Sequence, residues 1–357
     1  MRSSNLELLR IFSMFLIVCH HFAVHSGFKL MATNDISFNI LWTQFLAIGG
    51  KLGVDLFVLI SGYFLIKSNA KPSSLLRLWL LTAFYGMGLY IIFSLTGDVK
   101  FSVRELLINF LGLLTRTYWF VTCYAVMFIF SPFIANALRG MSKEAYKWLL
   151  FLSVILWSLI PTLAIAQNIK YYYSSLIWFF VLFAIAGYLR LYVDVSKLSR
   201  RFLLSLTFIS LFFIVLYYVC IDIYVKIYGR GYNDWFFWAR ENSFFVLVLS
   251  IAIFVLFLKL KDFKSKLVNY VSATMFGVYL IHDNYYVRKF VWRTFFHSKD
   301  LLNDTHFFVY SMCCIVSVFI CCVAIEFCRS LFLEKIFTRI SRSLKKYDDK
   351  VKSVFNN

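Results

Sequence analysis

Apolar runs of about 20 residues, the length a helix needs to cross a hydrocarbon core, recur along the whole chain between short polar stretches. They fall near residues 8–27, 46–66, 75–96, 115–138, 146–166, 175–193, 202–225, 241–259, 267–287 and 306–332. This pattern predicts about ten transmembrane helices, because backbone groups in lipid must find their partners within their own segment. Residues 101–118 are open to forming an extra interfacial helix. The first run carries Glu7 and Arg10, continues through His20 and His21, and lacks a small-residue cleavage site. It therefore reads as a span rather than a cleavable signal peptide. With only three prolines, no Gly/Ser linker and no internal repeat, the chain reads as one membrane domain over 1–333 with a basic tail over 334–357.

Composition agrees with the pattern. Of 357 residues, 61% are hydrophobic and 15% charged, against about 45–50% and about 25% in soluble domains. A mean hydropathy of +0.75 is more apolar surface than the core of a soluble protein can hide. A soluble enzyme and a disordered or fibrous protein are thereby excluded.

The net charge of +19 would suggest nucleic acid in a soluble protein. Here the cations are scattered through short loops, so no nucleic-acid partner is expected. If both termini are cytoplasmic, the segments on that side hold 24 of the 37 Lys and Arg residues, as the positive-inside rule requires. Lys259, Lys261, Lys264 and Lys266 carry much of the loop bias, and the tail could touch anionic lipid head groups. Aromatic clusters at Tyr171–Tyr173 and over 235–238 suit interfacial anchoring, with sugar stacking as the alternative. The eight cysteines lie in or at the ends of spans and read as packing residues. No metal-ligand spacing and no disulfide framework is expected.

Ionisable residues inside a span are costly and mark candidate sites. The first span is the richest, with Asn5, Glu7, Arg10, His20, His21 and His25. Eleven helical residues turn through about 1100°, within about 20° of whole turns, so Arg10 and His21 share a face about 16 Å apart. His20 points elsewhere and reads as structural. An imidazole in a protected cavity suits a general base, and an arginine at the cytoplasmic mouth suits a phosphorylated ligand. The plainer alternative is a snorkelling arginine and a histidine bonded to a neighbouring helix. The run GVDLFVLISGYFL from Gly53 to Leu65 adds two glycines for close helix approach, Ser61 as a polar cavity candidate, and Asp55, an acid able to pair with a cation or orient a histidine.

The Arg10-x10-His21 spacing, preceded by Glu7 and followed by GVDLFVLISGYFL, resembles the acyltransferase-3 family of integral-membrane O-acyltransferases. The resemblance implies an all-α, polytopic protein with about ten helices around a polar cavity and both termini cytoplasmic. It implies that Arg10 and His21 are essential, and that a basic stretch, here Lys67, Lys71, Pro72 and Arg77, serves the acyl-CoA side. Tyr118-Trp119-Phe120 resembles the start of a middle span, with Tyr124 near the place of an acid frequent in the family. Tyr279-Leu280-Ile281-His282 resembles a motif near the ninth span, making His282, with Asp283, a candidate second polar partner. Glu326 resembles an acidic closing motif, although a helix-end pair with Arg329 is the plainer reading.

The expected function is transfer of an acyl group, acetyl above all, from cytoplasmic acyl-CoA to a hydroxyl of a cell-envelope or capsular glycan, in the cell (inner) membrane. Acyl-CoA, or acetyl-CoA, is expected as a co-substrate, with no permanently bound cofactor and no metal. Catalytic roles fall to His21, Arg10 and Glu7. The acyl-CoA contacts fall to Arg10, Lys71 and Arg77, and the cavity polar set is Asp55, Ser61, His20 and His282. His21 would act either as general base or as a transient acyl-carrying nucleophile. Two other readings are a transporter or flippase for a glycan or lipid-linked intermediate, and a non-catalytic partner of a polysaccharide synthase. The missing repeat counts against transport.

Overall fold

The computed structural model describes residues 4–28, 36–115, 117–163, 175–229 and 237–355. All regular elements among them are helical. In chain order the helices are α1 Ser4–His25, α2 Phe38–Leu65, α3 Pro72–Leu95, α4 Val103–Phe110, α5 Trp119–Gly140, α6 Lys143–Leu163 and α7 Ser175–Tyr192. They continue with α8 Arg200–Tyr228, α9 Phe244–Leu258, α10 Lys266–His282, the short α11 Tyr285–Lys289, α12 Phe307–Ser341 and α13 Lys345–Phe355. Each of the ten apolar runs holds a helix. Eight of these are long and apolar enough to cross a membrane, while α9 has 15 residues and α10 has 17. The fold is all-α and polytopic. The stretch 101–118 forms only the eight-residue α4.

Polar residues at the run edges start the helices. The Ser37, Ser142, Ser199 and Ser265 side chains each accept from a backbone N–H in the first turn, and Pro72 opens α3, both standard ways to handle the orphan donors of a helix start. Interior and periphery separate by burial. The most apolar window of α2 is 78% buried, against 17% for α8. The apolar face of α8 is left for lipid, since Phe208, Phe212 and Ile227 are exposed.

The most extensive helix–helix contact is α1 against α2. It depends on two glycines whose missing Cβ lets the backbones meet. A Cβ on Gly49 would come 2.6 Å from the Leu16 carbonyl oxygen, and one on Gly53 would come 2.6 Å from that of Ser13. α1 also packs on α10, and α10 packs on α12, so residues from both ends of the chain surround one interior.

The last long helix runs past residue 333 to Ser341. After a 3-10 turn, α13 folds back on the start of α3, where Asp348 accepts from the Ser73 backbone N–H at 2.9 Å and from its hydroxyl at 2.5 Å. The aromatic cluster at Tyr171–Tyr173 and its counterpart at Trp235 and Phe236 lie outside the described residues. Trp238 packs inward, stacked on Tyr217 with its indole N–H on the Thr162 carbonyl.

Candidate active site

α1 is continuous from Ser4 to His25, so Arg10 and His21 sit on one rigid rod about 16 Å apart along its axis. At the start of the rod, Glu7 is buried and accepts from the Arg10 guanidinium at 2.5 Å and from the Ser272 hydroxyl of α10. Glu7 thereby fixes the Arg10 side chain from within its own helix.

At the far end, His21 meets the end of α10. Its Nδ1 is 2.8 Å from Nε2 of His282, and Nδ1 of His282 is 2.6 Å from the Val278 carbonyl. A carbonyl only accepts, so His282 Nδ1 carries the proton. With both rings neutral, His282 Nε2 is then an acceptor and His21 Nδ1 its donor. That leaves Nε2 of His21 as a bare lone pair, the tautomer a general base needs. This nitrogen lies 3.6 Å from Asp283 Oδ1. The same oxygen is 3.8 Å from His25 Nε2 and 3.3 Å from an Arg288 guanidinium nitrogen. An imidazolium formed at His21 would face a carboxylate across a few ångströms of buried medium, where charge pairing is strong.

Alongside, the Tyr118 hydroxyl donates to the Leu280 carbonyl and accepts from the Asn284 amide, both at 2.9 Å. This braces the turn that carries His282 and Asp283. The donor atoms of His21, His25 and Asp283 lie within 4.8 Å of one another, so they are metal ligands in type. The guanidinium already on Asp283 Oδ1 opposes a further cation at that oxygen.

From the Arg10 end a cavity of about 310 Å³ extends as far as Tyr279, one turn short of His282, lined by Arg10, Met14 and Ser61 near α1 and α2, Arg77 on α3, Ser272 and Tyr279 on α10, and Glu326 and Arg329 on α12. Tyr124 and Phe120 complete its wall. Tyr279 leads toward the histidines, its ring 6.2 Å from that of His282 and its buried hydroxyl directed at the Asp283 carboxylate. At the opposite end the arginines are paired. Arg77 reaches Glu334 at 2.5 Å, and Arg329 holds Glu326 through two bonds of 2.8 Å and Glu334 at 3.1 Å. Glu326 also accepts from Tyr85 at 2.6 Å.

Several expected site residues lie elsewhere. His20 turns to α2, its Nδ1 2.6 Å from the Ala47 carbonyl and its ring in the space Gly50 leaves open. Asp55 faces α7 and accepts from the Trp178 indole at 3.1 Å, so neither a cation nor a histidine is its hydrogen-bond partner. Lys51, one turn earlier, pairs with Glu241 instead, at 2.9 Å. Lys71 is exposed at the N-cap of α3. Glu326 lies well inside α12, buried on the cavity wall, and not at a helix end. A Cβ on Gly277 would come 2.4 Å from its carboxylate, so that glycine is what admits the acid. No motif in the sequence points to Tyr85, Glu334 or Arg288. The i,i+3 spacing of Glu326 and Arg329 was the one available hint.

A family model described as an acyltransferase domain matches residues 3–327. The chain belongs to the acyltransferase-3 family. It is accordingly a multi-pass membrane acyltransferase acting on acceptors other than amino-acyl groups. The match spans α1 through most of α12, so every group described above lies within it except Arg329 and Glu334. No curated protein and no solved structure matches the chain.

Proposed function

We propose that this acyltransferase carries an acyl group, acetyl being the simplest, from acyl-CoA on the cytoplasmic side of the cell (inner) membrane to a hydroxyl of a cell-envelope glycan. The observation that carries the reading is the tautomer chain Val278–His282–His21, which leaves a bare nitrogen beside Asp283 at the far end of the helix that bears Arg10. CoA is large and anionic, so its phosphates stay at the basic mouth and only the pantetheine arm and thioester enter the cavity.

His21 Nε2 takes the acceptor hydroxyl's proton as the oxygen attacks the thioester carbonyl. Asp283, 3.6 Å from that nitrogen, stabilises the resulting imidazolium; unlike the carboxylate of a Ser-His-Asp triad, it faces the nitrogen that takes the proton. Collapse of the tetrahedral intermediate breaks the C–S bond. The leaving thiolate takes the proton back from His21, giving the ester and free CoA. Arg10, fixed by Glu7, holds a donor oxygen at the mouth, and His282 acts as a positioning residue.

The test is O-acetylation of glycan in cells carrying the wild-type protein, His21→Ala or Arg10→Ala, with membrane insertion checked for each. Both variants should lose the acetyl groups while remaining folded. Retained acetylation in the His21 variant would falsify the base assignment.

A further inference from the structure

Arg10 also borders a second, larger cavity. It measures about 590 Å³, within the usual range of about 300–1,000 Å³ for ligand sites, and is lined by Asn5, Glu7, Arg10, Tyr63, Phe64 and Arg190 among others. These residues come from the start of α1, the end of α2 and the end of α7. The cavity therefore opens at the same end of the bundle as the arginines on α3 and α12.

Its chemistry differs from that of the narrower cavity. Arg77 and Arg329 are each neutralised by carboxylates, and Arg10 by Glu7. Arg190 has no carboxylate partner among the described residues. It donates to the Tyr63 hydroxyl at 2.8 Å, and its guanidinium carbon lies 4.6 Å from the centre of that ring. A cation with only neutral partners is free to take a phosphate in bidentate fashion.

Asn5 supplies an independent sign of a ligand. Its amide nitrogen donates to the Leu260 carbonyl at 2.7 Å, which fixes the orientation of the amide. The carbonyl oxygen is buried with no partner, and the residue is only 6% exposed. A buried acceptor without a donor is costly, and an exocyclic amine would supply one. An aromatic face, an uncompensated guanidinium and an unpaired amide oxygen around one cavity together match a purine nucleotide bearing phosphate.

We infer that this cavity holds the adenine-nucleotide end of the acyl-CoA donor, with Arg190 and Tyr63 gripping a phosphate and Asn5 facing the base. The inference rests on the donor assigned above. The pantetheine arm then passes Arg10 into the 310 Å³ cavity toward Tyr279, so Arg10 stands at the bend between the two halves of the donor site. Arg77, already held by Glu334, contributes less to nucleotide affinity than Arg190.

Direct binding to the purified full chain in nanodiscs tests this, with coenzyme A, 3′,5′-ADP and inorganic phosphate as probes. Coenzyme A and 3′,5′-ADP should bind the same site, and phosphate far more weakly. Arg190→Ala should weaken both nucleotides about tenfold or more, the loss of one charge-assisted pair, and Tyr63→Leu should weaken both as well. Arg77→Ala should weaken them by less. Arg190 is exposed, so its variant is expected to keep the wild-type elution profile and melting temperature.

Coenzyme A binding that is unchanged in Arg190→Ala overturns the subsite and leaves the donor assignment standing. No coenzyme A binding to the wild type overturns the donor assignment and the subsite with it. Displacement of coenzyme A by anionic-lipid vesicles that is lost in Arg190→Ala, with no binding of 3′,5′-ADP to the wild type, makes the cavity a lipid head-group site and also overturns the inference.

Discussion

A single helix carries the arginine and the histidine, and that is why both were legible as residues. Their eleven-residue spacing puts them on one face whatever the surrounding fold. What completes the site was legible only in part, since His282, with Asp283, reads as a candidate polar partner by resemblance and not from any spacing to His21. His282 and Asp283 reach His21 from more than 260 residues away, and only packing of α1 against α10 brings them there. His25 likewise reads as one more histidine until Asp283 is placed beside it. Two residue-scale predictions follow from the tautomer chain. Replacing His282 with alanine should lower kcat by about 10²-fold, the effect of a misplaced base, with little change in KM for the donor, which enters at the other end. Asp283→Asn should lower kcat by about 10²-fold or more, since the imidazolium then loses its counter-charge. Steady-state kinetics with a labelled donor read both.

Among the elements, apolar runs of bilayer length foretold every long helix, because lipid imposes the same requirement on each of them. The sequence was less informative about which helices are interior. α2 and α8 are both strongly apolar, yet α2 is enclosed and α8 faces lipid. The distinguishing signal is small residues, since Gly49 and Gly53 lie where α1 touches α2. Gly53→Ala should destabilise the protein by about 1–3 kcal/mol through overpacking. Gly88→Ala on α3, where a Cβ meets nothing within 4 Å, should be neutral or stabilising. Thermal unfolding in detergent distinguishes the two. α12 presents the other element-scale case. Glu326→Leu leaves Arg329, whose side chain is 5% exposed, with Glu334 as its remaining carboxylate, and should cost about 1–3 kcal/mol. A compensating Arg329→Met in the same chain should recover much of it.

For the whole molecule, the charge distribution predicts an orientation. The segments at the end of the bundle where α1 starts, together with the C-terminal tail, hold 24 of the 37 Lys and Arg residues, and the Arg10 cavities open at that same end. Reporter fusions at both termini should therefore report the cytoplasmic side. A periplasmic C-terminus would turn the donor mouth away from cytoplasmic CoA. The formal charge of +19 is thus mostly a topological signal, and a small share of it, Arg10 and Arg190 above all, lines the cavities at the donor end.

The most direct measurement of the central claim is acyl transfer by the purified protein in nanodiscs, with isotopically labelled acetyl-CoA and an envelope-glycan acceptor. Label should appear as glycan ester in the wild type, and fall by about 10²–10⁴-fold in His21→Ala, while that variant still binds coenzyme A. Transfer undiminished in the His21 variant, or none from acetyl-CoA in the wild type, would contradict the account.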